Sequence, residues 1–220
     1  MYRIFLLALF APLFLMALEI KQTPIEFGET RVELTKKYIK SHYNLDVQDI
    51  KIVPKIILIH HTAIDDFNDS LSRFTSQTLP SDRPDINNGG AVNVSAHFMV
   101  ERDGTVHQLM PLDYMARHVI GLNYSSIGIE NVGGQNSKDN LTKEQLKANI
   151  ELVAELKKRF PTIEYVVGHY EYRCFEESEF WLEVDKKYRT HKDDPSVRFM
   201  SELRANLSGF KGAPCTQGHK

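Results

Sequence analysis

Two apolar segments of this chain each run directly into a histidine, and this pattern constrains the fold most strongly. The segment "KIILIHHTA", residues 55–63, contains the unbroken run Ile56–Ile59, which is typical of a central strand buried on both faces. The segment "IEYVVGH" predicts a second strand that ends at His169. Ligands and catalytic groups collect at strand ends in α/β sheets, so we expect His60 and His169 to lie close enough to share a divalent metal. Side chains alternate along a strand, so His61 should face away from that site, either packed or solvated.

The remaining patterns predict one α/β domain with a mixed central β-sheet flanked by helices. The expected elements are helices over 29–43, 65–78, 141–160 and 196–207, a hairpin over 95–110, and a strand that begins at 126. Residues 79–90 have the Pro, Asp, Asn and Gly content of a loop.

Three of the predicted helices carry signals for their first turn. The capping signals are Thr30 with Glu33, Asp65 or Asp66, and Thr142 with Gln145. The helix over 141–160 should bury one stripe of side chains, namely Leu146, Ile150, Val153 and Leu156.

The first 17 residues are predicted to be a signal peptide. One arginine precedes an apolar stretch, and Ala17 provides a plausible cleavage point. The stretch is shorter than the ~18–20 residues that span a bilayer, although an uncleaved N-terminal anchor is the alternative. We therefore expect an exported protein, periplasmic or associated with the cell wall, with no stable membrane span once the leader is cleaved. Its domain would cover 18–220, with a helical extension over 18–50.

Charge and cysteine content narrow the possible partners. The net charge of −2, without a cluster of basic residues, argues against nucleic acid as a partner. We expect a monomer. Cys174 and Cys215 could form one disulfide in an exported protein, whereas in the cytosol both would more often be free thiols.

The segment 170–191 contains the chain's only tryptophan. One interpretation is a surface helix that packs Phe175, Phe180, Trp181 and Val184 on the domain. The other is a lid or wall that narrows a groove.

Zinc sites that perform catalysis use three protein ligands, often two histidines and a carboxylate. Three residues that follow His169 could complete such a site with His60: Cys174, His191 and Asp194.

Four blocks in this order resemble a known family: "IILIHHTA", "VSAHFMVERDGTVHQLMPLDYMARH", "SIGIENVGG", and "VVGH" followed by "KDDP". They cover about residues 55–195. The chain resembles the zinc-dependent N-acetylmuramoyl-L-alanine amidases of the AmpD type, relatives of phage lysozyme-like amidases and of peptidoglycan recognition proteins. The resemblance implies that 18–220 is an amidase domain whose motif region is 55–195.

The resemblance also implies roles for individual residues. His60, His169 and Asp194 match the zinc ligands, since Asp194 occupies the motif position that is followed by proline. Glu130 matches the catalytic glutamate and Lys192 the cationic residue of the active site.

Three further residues are expected beside the substrate. His118 falls where relatives carry a histidine next to the substrate groove, with a supporting position behind a ligand as the alternative. Arg117 stands where relatives usually have an aromatic residue, and Asn93 lies near the proposed site in the sequence.

The implied reaction is zinc-dependent hydrolysis of the amide between N-acetylmuramic acid and L-alanine, in peptidoglycan or muropeptides. Zinc would activate water and polarise the carbonyl, and Glu130 would transfer the proton. Lys192, or His118 if protonated, would stabilise the oxyanion. The alternatives are a peptidoglycan-binding module without catalysis on the same fold, and another zinc hydrolase that cleaves stem peptides.

Overall fold

The first of the two strands that end in histidine is an interior strand of the sheet, with only one strand beyond it on one side. The computed structural model describes residues 18–215. Its strands are β1 (Ile20–Gln22), β2 (Ile56–His61), β3 (Phe98–Val100), β4 (Val106–Gln108), β5 (Ser126–Asn131) and β6 (Tyr165–Gly168). Its α-helices are α1 (Glu29–Tyr43), α2 (Phe67–Thr75), α3 (Lys143–Arg159) and α4 (Val197–Ala205). The described residues contain no helix long and apolar enough to cross a membrane. The predicted signal peptide lies outside them.

The six strands form one mixed sheet, as expected. Their order in the sheet is β1-β4-β3-β5-β2-β6. Only the hairpin pair β3–β4 is antiparallel. β2 lies between β5 and β6 and is parallel to both, so the carboxyl ends of these three strands meet at one edge.

The alternation of side chains on β2 sorts its residues onto two hydrophobic clusters. Ile57 and Ile59 face the cluster that contains α3 and α4. Ile56 and Leu58 face the opposite cluster, which includes Tyr172 and the segment after it. His60 continues the second set, so its side chain leaves the sheet on the face that α3 and α4 do not cover.

The helix starts confirm two of the three capping predictions. The side chain of Asp66 accepts the Asp69 N–H at the start of α2. Thr142 and Gln145 form the expected capping box of α3. The prediction for Thr30 is wrong, because α1 already begins at Glu29 with Gly28 as its N-cap.

A distant side chain supplies the missing cap of α1. Oε1 of Gln77 accepts the N–H groups of Gly28, at 3.2 Å, and Arg31, at 2.9 Å. This contact crosses from α1 to the loop after α2, so local spacing could not reveal it.

The buried stripe of α3 is more polar than predicted. Val153 and Leu156 are buried as expected, whereas Leu146 and Ile150 are only partly buried at the edge of the core. Gln145 is fully buried, and its amide donates to the carbonyls of Val100 and Val132. The helix therefore holds the ends of β3 and β5 by hydrogen bonds as well as by apolar packing.

The segment 170–191 does not form the predicted surface helix. A short 3₁₀ helix, His169–Phe175, follows β6, and turns and irregular backbone continue from there. Phe175 is buried, Trp181 is partly buried, and Val184 is 55% exposed. Trp181 lies against Gly121, where a Cβ atom would come within 2.7 Å of the indole. The wall interpretation fits this arrangement, because Tyr188 and Thr190 of the segment line the cleft described below.

The disulfide that the sequence left open is present. Cys174 and Cys215 are bonded, with their Cα atoms 4.9 Å apart. The bond ties the segment after β6 to the C-terminal end of the described chain.

Candidate metal centre

Three adjacent strand ends bring His60, Glu130 and His169 to one place. In the parallel register of β2 and β5, His60 lies directly beside Glu130. His169 follows the last residue of β6, on the other side of β2. All three side chains are buried, each at 7% exposure or less.

Asp194 enters from the loop before α4 and completes the group. Its Oδ2 lies 3.1 Å from Nδ1 of His169 and 3.3 Å from Nδ1 of His60, and the two Nδ1 atoms are 3.0 Å apart. The N–H of Tyr170 donates to the Asp194 carbonyl, which fixes the loop against the end of β6. Within residues 18–215, these three residues form the only group of His, Cys, Asp or Glu side chains whose ligand atoms lie close enough together to hold a metal ion.

The donor atoms match what a tetrahedral zinc ion requires. Ligand atoms at zinc bond lengths of about 2.0–2.1 Å lie roughly 3.3–3.4 Å from one another in a tetrahedron. The observed separations of 3.0–3.3 Å are close to this value. Two imidazoles and one carboxylate also form a ligand set typical of catalytic zinc, which leaves a fourth position for water or substrate.

The other two candidates for the third position lie elsewhere. Cys174 is committed to its disulfide and offers no thiolate. His191 is exposed on the rim of the cleft and does not join the group.

Burial and proximity shift the acidities of this group. Burial, and then the neighbouring His169, lower the pKa of His60 to about 4, although Asp194 opposes the shift. Burial alone would raise the pKa of Asp194, but the charge and hydrogen bond of His169, together with His60, hold it well below its usual range. His60 is therefore neutral and the Asp194 carboxyl is ionised near pH 7, as metal ligands must be.

Glu130 is the buried carboxyl that the protein leaves unpaired at this edge. Among the described residues, nothing forms a hydrogen bond with its buried Oε2. Burial, and then the charge of Asp194, raise the pKa of Glu130 to about 8, while the charges of Lys192 and Arg83 oppose the rise. A carboxyl with a pKa near neutrality and an unoccupied oxygen is suited to accept and return a proton.

A cleft of about 340 Å³ opens above these groups. Lys192 is partly buried and lines it together with Arg83. Tyr188 and Thr190 form one part of its wall, and Val119 and Ile120 another. His61, on the other face of β2, is partly exposed at the rim, and its Nδ1 accepts the Ala63 N–H.

His118 lies behind His60 and also borders the cleft. Its Nδ1 is 3.0 Å from Nε2 of His60, and its Nε2 is 3.1 Å from Oγ of Ser126. Burial, and then the neighbouring His60, hold the pKa of His118 well below its usual value. This low pKa and the engagement of both ring nitrogens argue against a protonated His118 at the oxyanion, the alternative expected from the sequence.

The structure also corrects the predictions for Asn93 and Arg117. Asn93 is fully buried, and its amide donates to the carbonyls of Arg73 and Ser76, so it does not reach the cleft. Arg117 borders the cleft but is 4% exposed. Its guanidinium donates to the carbonyls of Ile86, Gly90 and Val92 and to the Tyr188 hydroxyl. Arg117 therefore holds the loop over 86–92, and Asn93 holds the end of α2, and these hydrogen bonds argue against the expected role of either side chain in substrate binding.

Sequence analysis missed three residues that position His118. A Cβ atom at residue 128 would lie 2.8 Å from Cγ of His118, so only Gly128 leaves room for the ring. Ser126 contacts its Nε2, and Oδ1 of Asn123 accepts the backbone N–H groups of His118 and Val119. Glycine inside the apolar strand "SIGIE" is a signal of close approach that could have indicated this packing.

A family profile identifies the chain. The profile of Amidase_2, described as N-acetylmuramoyl-L-alanine amidase, matches residues 50–196. The chain belongs to this amidase family. The match includes every residue of the candidate metal centre.

Among relatives of this chain, the endolysin of Klebsiella phage KP32 is 37% identical over 75 residues. The alignment covers 32% of this chain and 50% of the endolysin, so the chain spans about half the length of the curated relative.

Solved structures confirm the expected fold of the chain. A crystal structure of an AmpD derivative is 21% identical, with a TM-score of 0.52, over 86% of this chain and 95% of the other. Bumblebee PGRP-SA is 16% identical, with a TM-score of 0.50, over 88% of this chain and 97% of the other. At these identities the likeness is one of fold.

Proposed function

We propose that this chain is a zinc-dependent N-acetylmuramoyl-L-alanine amidase that hydrolyses the amide between N-acetylmuramic acid and L-alanine in peptidoglycan or muropeptides. The observation that carries the proposal is the convergence of His60, His169 and Asp194 beside the unpaired carboxyl of Glu130, at the floor of an open cleft. Membership of the amidase family supports this choice of bond.

His60, His169 and Asp194 would hold the zinc ion. Zinc, when bound, would polarise the amide carbonyl and lower the pKa of water. Rigid strand ends fix both imidazoles, and the contact between Tyr170 and Asp194 fixes the carboxylate, so little reorganisation is needed on binding.

Glu130 acts as the general base and then as the general acid. It accepts the proton of the water whose oxygen attacks the lactyl carbonyl carbon, and it returns a proton to the L-alanine nitrogen as the C–N bond breaks. Lys192, on the wall of the cleft, supplies positive charge to the oxyanion that develops on the carbonyl oxygen.

We further propose that the protein acts outside the cytoplasm, exported by its first 17 residues, and that it works as a monomer. The motif residues for peptidoglycan hydrolysis and the apolar leader support the first point. Cell fractionation and size-exclusion chromatography test these two statements.

Mass analysis of purified muropeptides incubated with the zinc-loaded protein tests the reaction. We expect two products, a free sugar lactyl acid and a peptide with L-alanine at its N-terminus, whose masses sum to substrate plus one water. Cleavage inside the stem peptide would instead identify a peptidase. Binding of muropeptide without any cleavage would identify a binding module.

Glu130→Gln separates chemistry from metal binding. Zinc content should be unchanged, and the rate should fall by about 10²–10⁴, the usual size of general acid–base catalysis. Glu33→Gln, on the exposed face of α1, is the matched control and should retain full activity. A loss below about tenfold in Glu130→Gln would place the base elsewhere.

A further inference from the structure

Both ring nitrogens of His60 have assigned neighbours. Nδ1 faces His169 and Asp194, at 3.0 and 3.3 Å, and Nε2 faces Nδ1 of His118 at 3.0 Å. A neutral imidazole carries one proton, and a metal takes the nitrogen that lacks it. The neighbour of Nε2 therefore decides whether Nδ1 is available as a ligand.

The hydrogen bonds behind His60 have only one consistent direction if Nδ1 binds metal. His60 then carries its proton on Nε2 and donates to Nδ1 of His118. His118 must carry its own proton on Nε2, and it donates to Oγ of Ser126 at 3.1 Å. The Ser126 hydroxyl donates in turn to the Leu122 carbonyl at 2.9 Å, which can only accept. The chain of donors thus ends at a fixed backbone acceptor.

We propose that His118, oriented by Ser126, is a positioning residue that fixes His60 in the tautomer whose Nδ1 lone pair faces the metal site. This inference rests on the proposed metal site and assigns a role within it. The geometry favours positioning over substrate contact, because His118 is 9% exposed and both its nitrogens are engaged by protein groups.

The surroundings of His118 are built for one ring orientation. Gly128 admits the ring against β5, and Asn123 holds the backbone on both sides of Cα through two N–H groups. The ring of His97 packs edge-on against that of His118, with 6.1 Å between the ring centroids. His97 is itself fixed, because its Nδ1 accepts the Gly128 N–H and its Nε2 donates to the Tyr114 carbonyl. A ring flip of His118 would place carbon atoms opposite both of its partners.

Two variants of nearly equal shape isolate the hydrogen bond. His118→Asn would place an amide oxygen where Nδ1 of the histidine lies, so this variant keeps an acceptor for His60. His118→Leu keeps the branched shape and removes the acceptor. We expect the zinc dissociation constant, measured by competition with a chelator, to rise about 10–100-fold in His118→Leu, the usual effect of losing such a partner. In His118→Asn it should stay within roughly threefold of wild type.

His107→Gln is the control for the loss of a buried histidine away from the site. Its ring contacts Thr23 and Glu101, and zinc affinity should not change. Ser126→Ala is a second variant that keeps the His118 ring, in case His118→Leu does not fold. It should weaken zinc binding about three- to tenfold, because the Nε2–H of His118 loses its acceptor.

Imidazole nitrogen NMR of the zinc-loaded protein gives a direct readout without any assay of activity. We expect His118 to carry its proton on Nε2 and His60 to be protonated on Nε2. A proton on Nδ1 of His118, equal losses of affinity in the Asn and Leu variants, or unchanged affinity in His118→Leu would each overturn the inference. Failure of the wild-type protein to bind zinc would instead overturn the metal site itself.

Discussion

The Nδ1 atoms of His60 and His169 lie 3.0 Å apart although 109 residues separate them in the chain. Ring nitrogens that direct lone pairs at each other and at a carboxylate repel unless a proton or a cation lies between them. The folded state should therefore gain more from a bound divalent cation than the unfolded chain does.

Zinc should raise the free energy of unfolding, and a chelator should lower it. At free zinc 100 times the dissociation constant, the gain is about 2.7 kcal/mol. Urea unfolding with zinc and with chelator measures the difference. Asp194→Asn should abolish most of it, whereas Asp193→Asn, an exposed neighbour whose carboxylate accepts from Ser137, should keep it. Equal zinc responses in both variants would remove Asp194 from the ligand set.

Metal-free wild type should lose stability relative to Glu130→Gln as the pH rises. Burial raises the pKa of Glu130 from 4.5 to about 8, so the folded state holds the proton more tightly than the unfolded chain. The stability from this proton is complete below pH 4.5 and is lost as the pH rises through about 8, by an amount on the order of a few kcal/mol. Urea unfolding from pH 5 to 8.5 measures it, since subtraction of the variant cancels the contributions of other groups. A difference that does not change with pH would contradict the buried, unpaired state of Glu130.

Reduction of the disulfide should destabilise the protein by about 4 kcal/mol, because the bond closes a loop between residues 41 apart in the sequence. Urea unfolding with and without reductant measures this loss. Cys174→Ser should be as unstable as the reduced wild type and insensitive to reductant. A reductant effect that persists in Cys174→Ser would have another origin.

Loss of His42 should loosen the wall of the cleft. Nδ1 of His42 contacts both carboxylate oxygens of Glu183, at 3.0 and 2.9 Å, and the Glu183 side chain has no exposed surface. The pair joins α1 to the segment that carries Tyr188. His42→Ala should cost about 3–5 kcal/mol, because it leaves a buried carboxylate without its partner.

The double variant His42→Leu with Glu183→Met should cost less than His42→Ala, since it removes both polar groups. Thermal and urea unfolding compare the variants. Lys40 lies on the same helix as His42 and forms an exposed ion pair with Asp46, so Lys40→Ala should cost about 1 kcal/mol or less. A cost in His42→Ala no larger than in Lys40→Ala would show that the buried pair does not brace the wall.

The placement of His60 and His169 could be predicted because it depends on simple rules of strands, whereas Glu130 was assigned from the family motif. Alternation along β2 determines which of two adjacent histidines enters the site. Parallel strands bring their carboxyl ends to one edge, so residues that follow an apolar run are neighbours in space. The assignment of Asp194 as a ligand depended on the family motif "KDDP", since nothing in its local spacing distinguishes it from His191.

The roles of Asn93 and Arg117 could not be predicted, because they depend on partners that are distant in the sequence. The carbonyls that hold Asn93 belong to Arg73 and Ser76. Arg117 is held by carbonyls of the loop before it and by the Tyr188 hydroxyl. A polar residue that is close to a site in the sequence could bind substrate or support the backbone of another segment. Only the positions of those distant carbonyls decide between the two roles. The same reason explains the distant cap that Gln77 provides for α1.

The position of β2 between β5 and β6 also determines the order in which the site can be built during synthesis. β2 emerges early, but its two neighbours follow much later, and the Asp194 loop comes after both. Pairings between such distant segments make folding slow, because the long loops must close before any contact compensates for the lost chain entropy. The nascent chain cannot coordinate a cation until its last quarter is available. Metal binding is therefore a late event, which can occur only once the three strand ends and the Asp194 loop have come together.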